Sequence, residues 1–483
     1  MRRIVLFAAL FLILFQVKAE LKLPKVFADH MVLQRGQEIP VWGEADPRQW
    51  VNVTFQGKKY RAKADKEGKW MLKMDAFPKG GPYILSINTK KESKVLENVM
   101  MGDVWLLGGQ SNMEWALKRT NNGEDSIKTA NHPNIRLFEV GRNLSLEEIE
   151  EVPEAKWSIC SPETVANFSA IGYYFARRIE TDMDVAVGLL DINWGGTLSE
   201  AWTSADALLT HPDFKERVAK NQMEGPKDFS DPDLKKPNSW PTSLFYGMLE
   251  PVIPFAIKGA LWYQGESNAS RAYQYREIFP LMIEDWRAQW GQGDFPFLWV
   301  QLANFRQPKA EPVDSDWAEL REAQTMTLSL PNTAQAVIID KGEADDIHPR
   351  DKWTVAERLA KGAKKIAYGM DVVYSGPTYK SMEIQGDQIR ISFDNIGSGL
   401  VVNDKYGYVK GFAVAGEDQK FHWVTGKQDG NQIVLETEGI KNPVAVRYGW
   451  ADNPDDVNVY NKEGLPANPF RTDDWEGITY GKR

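Results

Sequence analysis

Residues 108–113, Gly-Gly-Gln-Ser-Asn-Met, place Ser111 on a glycine-rich bend directly behind an apolar run at 104–107. A serine hydroxyl is a poor nucleophile until a neutral imidazole within hydrogen-bond reach accepts its proton. That imidazole is held in its tautomer by a carboxylate, and the tetrahedral oxyanion requires donors already aimed at it. The chain offers all three after similar apolar runs. The run at 185–192 is followed by Asn-Trp-Gly-Gly-Thr, with Gly195 and Gly196. The run at 257–263 ends in Gln-Gly-Glu-Ser-Asn, with Gln264, Glu266 and Asn268. The run at 336–339 leads into an acidic loop holding Asp345, Asp346 and His348. Paired glycines let a backbone approach a reacting atom closely. The amides of Gln110, Gln264 and Asn268 supply N–H donors without charge.

Of the five histidines, His30 and His422 fall in strand-like regions away from these runs. His132 reads as part of a polar loop, and His211 opens a proline-broken excursion over 211–245. His348 alone directly follows a core run, so it is the candidate base. Asp345, three residues earlier, is the first candidate for its carboxylate, because that spacing lets a compact turn fold back onto the ring. Asp346 is the next, and Glu266 could orient the ring instead or simply hold its own loop. A helix expected over 112–118 would turn its positive end toward the oxyanion. The Gly-x-Ser-x-Met pattern departs from the Gly-x-Ser-x-Gly elbow. Neither a phosphate-binding GxxxxGK[ST] nor an HExxH motif occurs. Asp345, Asp346 and His348 have no second histidine near them in sequence. The chemistry therefore reads as independent of metal and cofactor.

These groups must be positioned by the elements that carry them. Residues 20–100 alternate apolar and polar in short runs separated by turn residues, the pattern of a small β-sandwich. Residues 101–370 carry continuous apolar runs, including 297–302, interleaved with helical patterns at 171–179, 273–290, 317–328 and 353–367. Runs of that kind are strands buried on both faces under helices, which predicts a three-layer α/β/α sheet with ligands at the carboxyl ends of its strands. From 371 to 483 alternation returns, marking a C-terminal β-rich region.

The whole chain has 483 residues and a formal net charge of −9. Its first 19 residues form a secretory signal peptide: Arg2 and Arg3, an apolar core, then Val17-Lys18-Ala19. Their removal takes away three cations and no acids, leaving −12. An acidic chain without a basic cluster does not suit nucleic acid, and no second segment is long enough to span a bilayer. An exported protein, periplasmic or extracellular, is expected. The lone Cys160 reads as a packed, inert thiol. The 18 tryptophans suit sugar-stacking faces as well as the core. Oligomeric state is not written in this pattern.

Gly-Gln-Ser-Asn-Met (109–113), Trp-Tyr-Gln-Gly-Glu-Ser-Asn (262–268) and Asp-Ile-His-Pro (346–349) resemble the sialate O-acetylesterase family of SGNH hydrolases. The similarity extends to Phe-Ala-Asp-His-Met-Val-Leu-Gln near the N-terminus and Gly-Leu-Pro-Ala-Asn-Pro-Phe-Arg near the end. The resemblance implies a flavodoxin-like three-layer domain flanked by N- and C-terminal β-sandwich-like regions. It also implies removal of acetyl groups from sugar hydroxyls through an acyl-serine. By position Ser111 matches the nucleophile, His348 the base and the Gly195-Gly196 loop the second oxyanion element. The third element falls to Gln264 or Asn268. The superfamily spacing matches Asp345, whereas the Asp-Ile-His-Pro pattern matches Asp346. The expected partner is an acetylated sialic acid. The alternatives are an acetylated xylan or other plant polysaccharide, and a non-catalytic glycan-binding protein on an esterase scaffold.

Overall fold

Residues 20–226, 229–231 and 234–483 are described by the structure, a computed structural model. The expected signal segment, 1–19, lies outside the described residues.

The period-two runs of the N-terminal region form strands. In Ile39–Glu44 every second residue is buried, and this strand pairs antiparallel with Lys69–Met74. Trp50–Phe55 pairs with both Lys58–Lys63 and Gly80–Asn88. The next strand, Ser93–Gly109, runs for 17 residues and passes straight through residue 100. Its first half pairs antiparallel with Gly80–Asn88. Its second half pairs parallel with Ala186–Asn193 on one side and Gly259–Tyr263 on the other. One strand thereby fuses the N-terminal ladder and the central layer into a single 11-stranded mixed sheet.

Across the central part the order is Thr333–Ala336, Phe297–Val300, Gly259–Tyr263, Ser93–Gly109, Ala186–Asn193, His132–Val140 and Ala155–Cys160. All these neighbours are parallel except the last pair, an antiparallel hairpin at the edge. Every residue of Ala186–Asn193 and of Gly259–Tyr263 is buried, as expected for strands covered on both sides. Trp105 packs on Phe175 of the helix Ala170–Met183, which also contacts the helix Lys352–Ile366. Trp262 packs on Trp286 of the helix Ala272–Trp290 at a centroid distance of 5.5 Å, and this helix packs against Asp316–Met326. Such edge-to-face pairs add about 0.5–1.5 kcal/mol each beyond the area they bury.

Three local expectations are corrected. The strand expected at 336–339 is Thr333–Ala336; Val337 and Ile339 leave the sheet and pack into the core of the C-terminal region. Their apolar character reflects that second core. His132 opens the strand His132–Val140 rather than sitting in a loop. The helix behind Ser111 is only Ser111–Glu114. There the chain turns extended at Trp115, because Ala116 bridges Ser169 and Leu117 N–H donates to Phe168 O at 3.0 Å.

The excursion at 211–245 contains a helix, Pro212–Glu224. Pro212 occupies its first turn, where the missing N–H costs nothing, and His211 Nδ1 accepts from Asp213 N–H at 3.2 Å. Beyond 371 a separate seven-stranded antiparallel sheet runs from Thr378–Gln385 to Phe470–Arg471 around its own core of Ile391, Phe412, Val446 and Tyr448. Cys160 is buried and unpaired, and burial pushes its thiol up to about 12. Among the described residues no helix is long and apolar enough to cross a membrane.

Candidate active site

The long central strand delivers Ser111 to the carboxyl edge of the parallel sheet. Gly109 makes the exit possible: its φ is +130°, and a Cβ there would lie 2.2 Å from Tyr263 O. Gln110 N–H then donates to the same carbonyl at 2.9 Å, so the bend is tied to the neighbouring strand.

His348 arrives from the loop beyond Thr333–Ala336. Its Nε2 lies 2.8 Å from Ser111 Oγ, across 237 residues of sequence. Its Nδ1 lies 3.2 Å from Asp346 Oδ1, and that oxygen also accepts the His348 backbone N–H at 2.9 Å. A carboxylate only accepts, so Nδ1 carries the proton and Nε2 is left to accept from the serine. Trp115 stacks on the imidazole at 4.7 Å with a 16° interplanar angle and fixes the ring plane. Burial holds the imidazole below its ordinary value, with the Lys352 cation adding to the effect and Asp346 opposing it. A neutral base at pH 7 is the result.

Of the two aspartates, Asp346 reaches the ring. Asp345 points away and accepts from Gln307 Nε2 at 2.5 Å. The reason lies in the loop: residue 346 bridges back to Glu343 as an isolated antiparallel pair, which turns its side chain toward His348. Glu266 does not orient His348 either, since its Oε1 accepts from Asn112 Nδ2 at 2.6 Å.

The glycine loop after Ala186–Asn193 also reaches the serine. A Cβ on Gly195 would lie 3.1 Å from both Ser111 Cβ and Glu114 Oε2. Gly195 N–H donates to Glu114 Oε2 at 2.8 Å, and the other Glu114 oxygen pairs with Arg142. Among the described residues the backbone N–H groups of Ser111 and Gly196 take no intramolecular acceptor. A four-residue helix has little macrodipole, so what this turn offers an anion is individual N–H groups rather than a helix end.

The amides expected to complete an oxyanion hole are spent elsewhere. Gln264 Nε2 donates to Thr197 O at 3.2 Å and to Asn268 Oδ1 at 2.6 Å, and its Oε1 accepts from Tyr275. Asn268 Oδ1 accepts from Ser199 N–H, while its Nδ2 donates to Glu200. Both residues are buried. They brace the glycine loop from beneath. Gln110 Oε1 faces the neighbouring loop, 3.4 Å from Gly265 N.

A serine, an imidazole and a carboxylate in hydrogen-bonded series can carry out acyl transfer. Over residues 101–231 and 238–363 the chain matches the model of the family "Carbohydrate esterase, sialic acid-specific acetylesterase". The chain belongs to that family. The earlier resemblance is borne out, and the protein is an esterase. It is 30% identical to the sialate O-acetylesterase of Mus musculus, over 92% of each chain. With the Homo sapiens sialate O-acetylesterase it shares 28%, over 91% of this chain and 90% of that one. A crystal structure of a carbohydrate acetylesterase from Xanthomonas citri superposes with a TM-score of 0.86 at 41% identity, covering 94% of this chain and 100% of that chain.

In this carbohydrate esterase the serine and histidine open into a cleft of about 590 Å³, walled by Trp115, Arg119, Glu139, Arg142 and Asn193. Most of the residues lining the cleft are polar or charged. Asp191 also borders it; burial first, then the neighbouring Glu139, pushes its carboxyl well above the usual range. Sequence reasoning did not single out Trp115, Glu114, Arg142, Asn112 or Lys352. For Glu114 and Trp115 the available signal was position, three and four residues after Ser111; Glu114 shares its helical turn, and Trp115 follows just past it, where the chain turns extended. Arg142 and Lys352 carry no local signal, since their partners lie 28 and 240 residues away.

Proposed function

We propose that this protein removes acetyl groups from sugar hydroxyls through an acyl-serine intermediate. The observation that carries the reading is the 2.8 Å contact between His348 Nε2 and Ser111 Oγ, backed by Asp346. Ser111 Oγ attacks the ester carbonyl while its proton passes to His348 Nε2. The free N–H groups of Ser111 and Gly196 receive the oxyanion. The sugar oxygen leaves with the proton from His348. Water, deprotonated by the same imidazole, then attacks the acetyl-serine, and acetate departs as Ser111 regains its proton. Asp346 stabilises the imidazolium formed in both halves.

The strand order and the helices on both faces support a flavodoxin-like, SGNH-type catalytic layer over 101–370. It is flanked by β-regions at 20–100 and 371–483. The basic-then-apolar opening of the sequence supports export, to a periplasmic or extracellular destination. The sialate O-acetylesterases among its relatives favour an O-acetylated sialic acid as substrate. The second reading is an acetylated xylan or other plant polysaccharide, and the name of the Xanthomonas citri relative, a carbohydrate acetylesterase, fits either substrate. Acetate release from acetylated sialoglycoprotein and from acetylxylan, measured side by side, separates the two. Ser111→Ala, folded as judged by circular dichroism, is expected to lose turnover of 4-nitrophenyl acetate to the uncatalysed background. Full turnover in that variant ends the proposal.

A further inference from the structure

Behind the nucleophile lies a buried polar relay that the acyl-serine steps do not use. Asn112, next to Ser111 in sequence, is 1% exposed and makes three side-chain hydrogen bonds. Its Oδ1 accepts from Lys352 Nζ at 2.5 Å. Its Nδ2 donates to Glu266 Oε1 at 2.6 Å and to Ile347 O at 3.1 Å. These three partners come from three different segments: the helix Lys352–Ile366, the loop after Gly259–Tyr263, and the residue immediately before His348. An ammonium only donates, while a carboxylate and a carbonyl only accept. The amide therefore has one orientation.

We propose that Lys352 is a positioning residue, which through Asn112 holds the His348 loop in register with Ser111. The inference rests on the acyl-serine reading above. Removing Lys352 leaves Asn112 Oδ1 a buried acceptor without a donor and Glu266 a buried acid without its cation, and both are costly. The orphaned Oδ1 is relieved by letting Asn112 move. Such movement releases Ile347 O and with it the backbone that aims the imidazole. Glu266 Oε2 and the Tyr263 hydroxyl are already buried without a partner among the described residues, so the pocket is under-satisfied even before Lys352 is removed. Misplacing a catalytic group by about an ångström costs on the order of 100-fold in rate.

Lys352 is fully buried, and burial brings its ammonium down to about 7 although Glu266, Asp346, Glu343 and Asp351 all favour the charged form. It also faces the rings of Trp115 and Tyr263, at 5.7 and 5.5 Å. Its charge acts on His348, as does that of Arg119, and both disfavour the imidazolium. A lysine that merely filled space would lack this electrostatic signature.

The test is Lys352→Met in the full chain, with kcat, KM and the pH profile of kcat/KM measured on 4-nitrophenyl acetate. The expected result is a loss of kcat of about 10- to 100-fold, KM within about threefold, and an acid limb moved to higher pH. The paired variant Lys352→Met/Glu266→Gln removes both buried charges and is expected to fold where the single variant does not. It should show the same loss and the same direction of shift. Wild-type kcat with an unmoved acid limb, in either folded variant, overturns the proposal. If Ser111→Ala stays active, the acyl-serine reading itself has failed. If Ser111→Ala is inactive but the lysine variants are normal, only the relay has.

Discussion

Replacing Asp346 by asparagine tests the hydrogen-bonded series at its least obvious link. Asparagine keeps an oxygen where Asp346 Oδ1 now accepts from the His348 backbone at 2.9 Å and from Nδ1 at 3.2 Å. The loop should therefore hold its shape while the charge facing the imidazolium disappears. Two unit charges 4 Å apart at an effective dielectric constant of 20 interact by about 4 kcal/mol. The Asp346 side chain is 36% exposed, and solvent screening brings this to roughly 2–3 kcal/mol. At 1.36 kcal/mol per decade, kcat should fall about 30- to 150-fold. Asp345→Asn alters only a surface contact with Gln307 and should stay within about twofold, the usual range for such positions. Initial rates on 4-nitrophenyl acetate, with melting temperatures of both variants, provide the comparison. A tenfold loss in Asp345→Asn beside a near-normal Asp346→Asn would show that the acid has been assigned to the wrong residue.

Two further outcomes follow from the same geometry. Burial lowers the His348 value below 6.5, so the base stays neutral further into acid, and the acid limb of kcat/KM on an uncharged ester should have its midpoint under that figure; a midpoint at 7 or above contradicts the assignment. Gly195→Val adds a branched side chain whose Cβ would lie 3.1 Å from Ser111 Cβ. It should cut kcat/KM by about 100-fold with little change in melting temperature, whereas near-wild-type kinetics would mean the loop plays no part in the reaction.

The sequence made Ser111 and His348 legible because each follows a run of apolar residues, and a chain leaving a parallel sheet at its carboxyl edge has little choice about where it emerges. What stayed hidden depended on partners distant in sequence. Asp345 and Asp346 differ by one position. The choice between them is made by a bridge from Glu343 to residue 346 and by Gln307, 38 residues away. Gln264 and Asn268 were good candidates by type. They are consumed by Thr197, Ser199 and Glu200 on a loop reached only through folding. The end of the N-terminal region was hidden for a different reason. Residues 99–109 are buried without interruption, and nothing in such a run tells where one sheet partner gives way to the next.

The C-terminal region has a structural claim on the site that its lack of catalytic residues conceals. Fully buried Arg321 donates to the carbonyls of Leu302 and Ala303 in the central layer and of Ala451 and Asp452 in the C-terminal region. Burial without a carboxylate in direct contact brings its guanidinium down to about 9. Those carbonyls flank Asn304, whose Nδ2 donates to Asn453 at 2.7 Å while its Oδ1 accepts from Gly342 N–H at 2.5 Å. Gly342 stands at the base of the loop that carries Asp346 and His348. The imidazole is thus held from two sides: at the loop base through Asn304 and the C-terminal region, and beside the ring through Asn112 and Lys352. A loop of this length with only one such anchor would sample many orientations, and each ordered residue costs about 1–2 kcal/mol of backbone entropy. Bonds from separate segments of the chain let the fold bear that cost, so the Ser111–His348 contact is set before any substrate arrives.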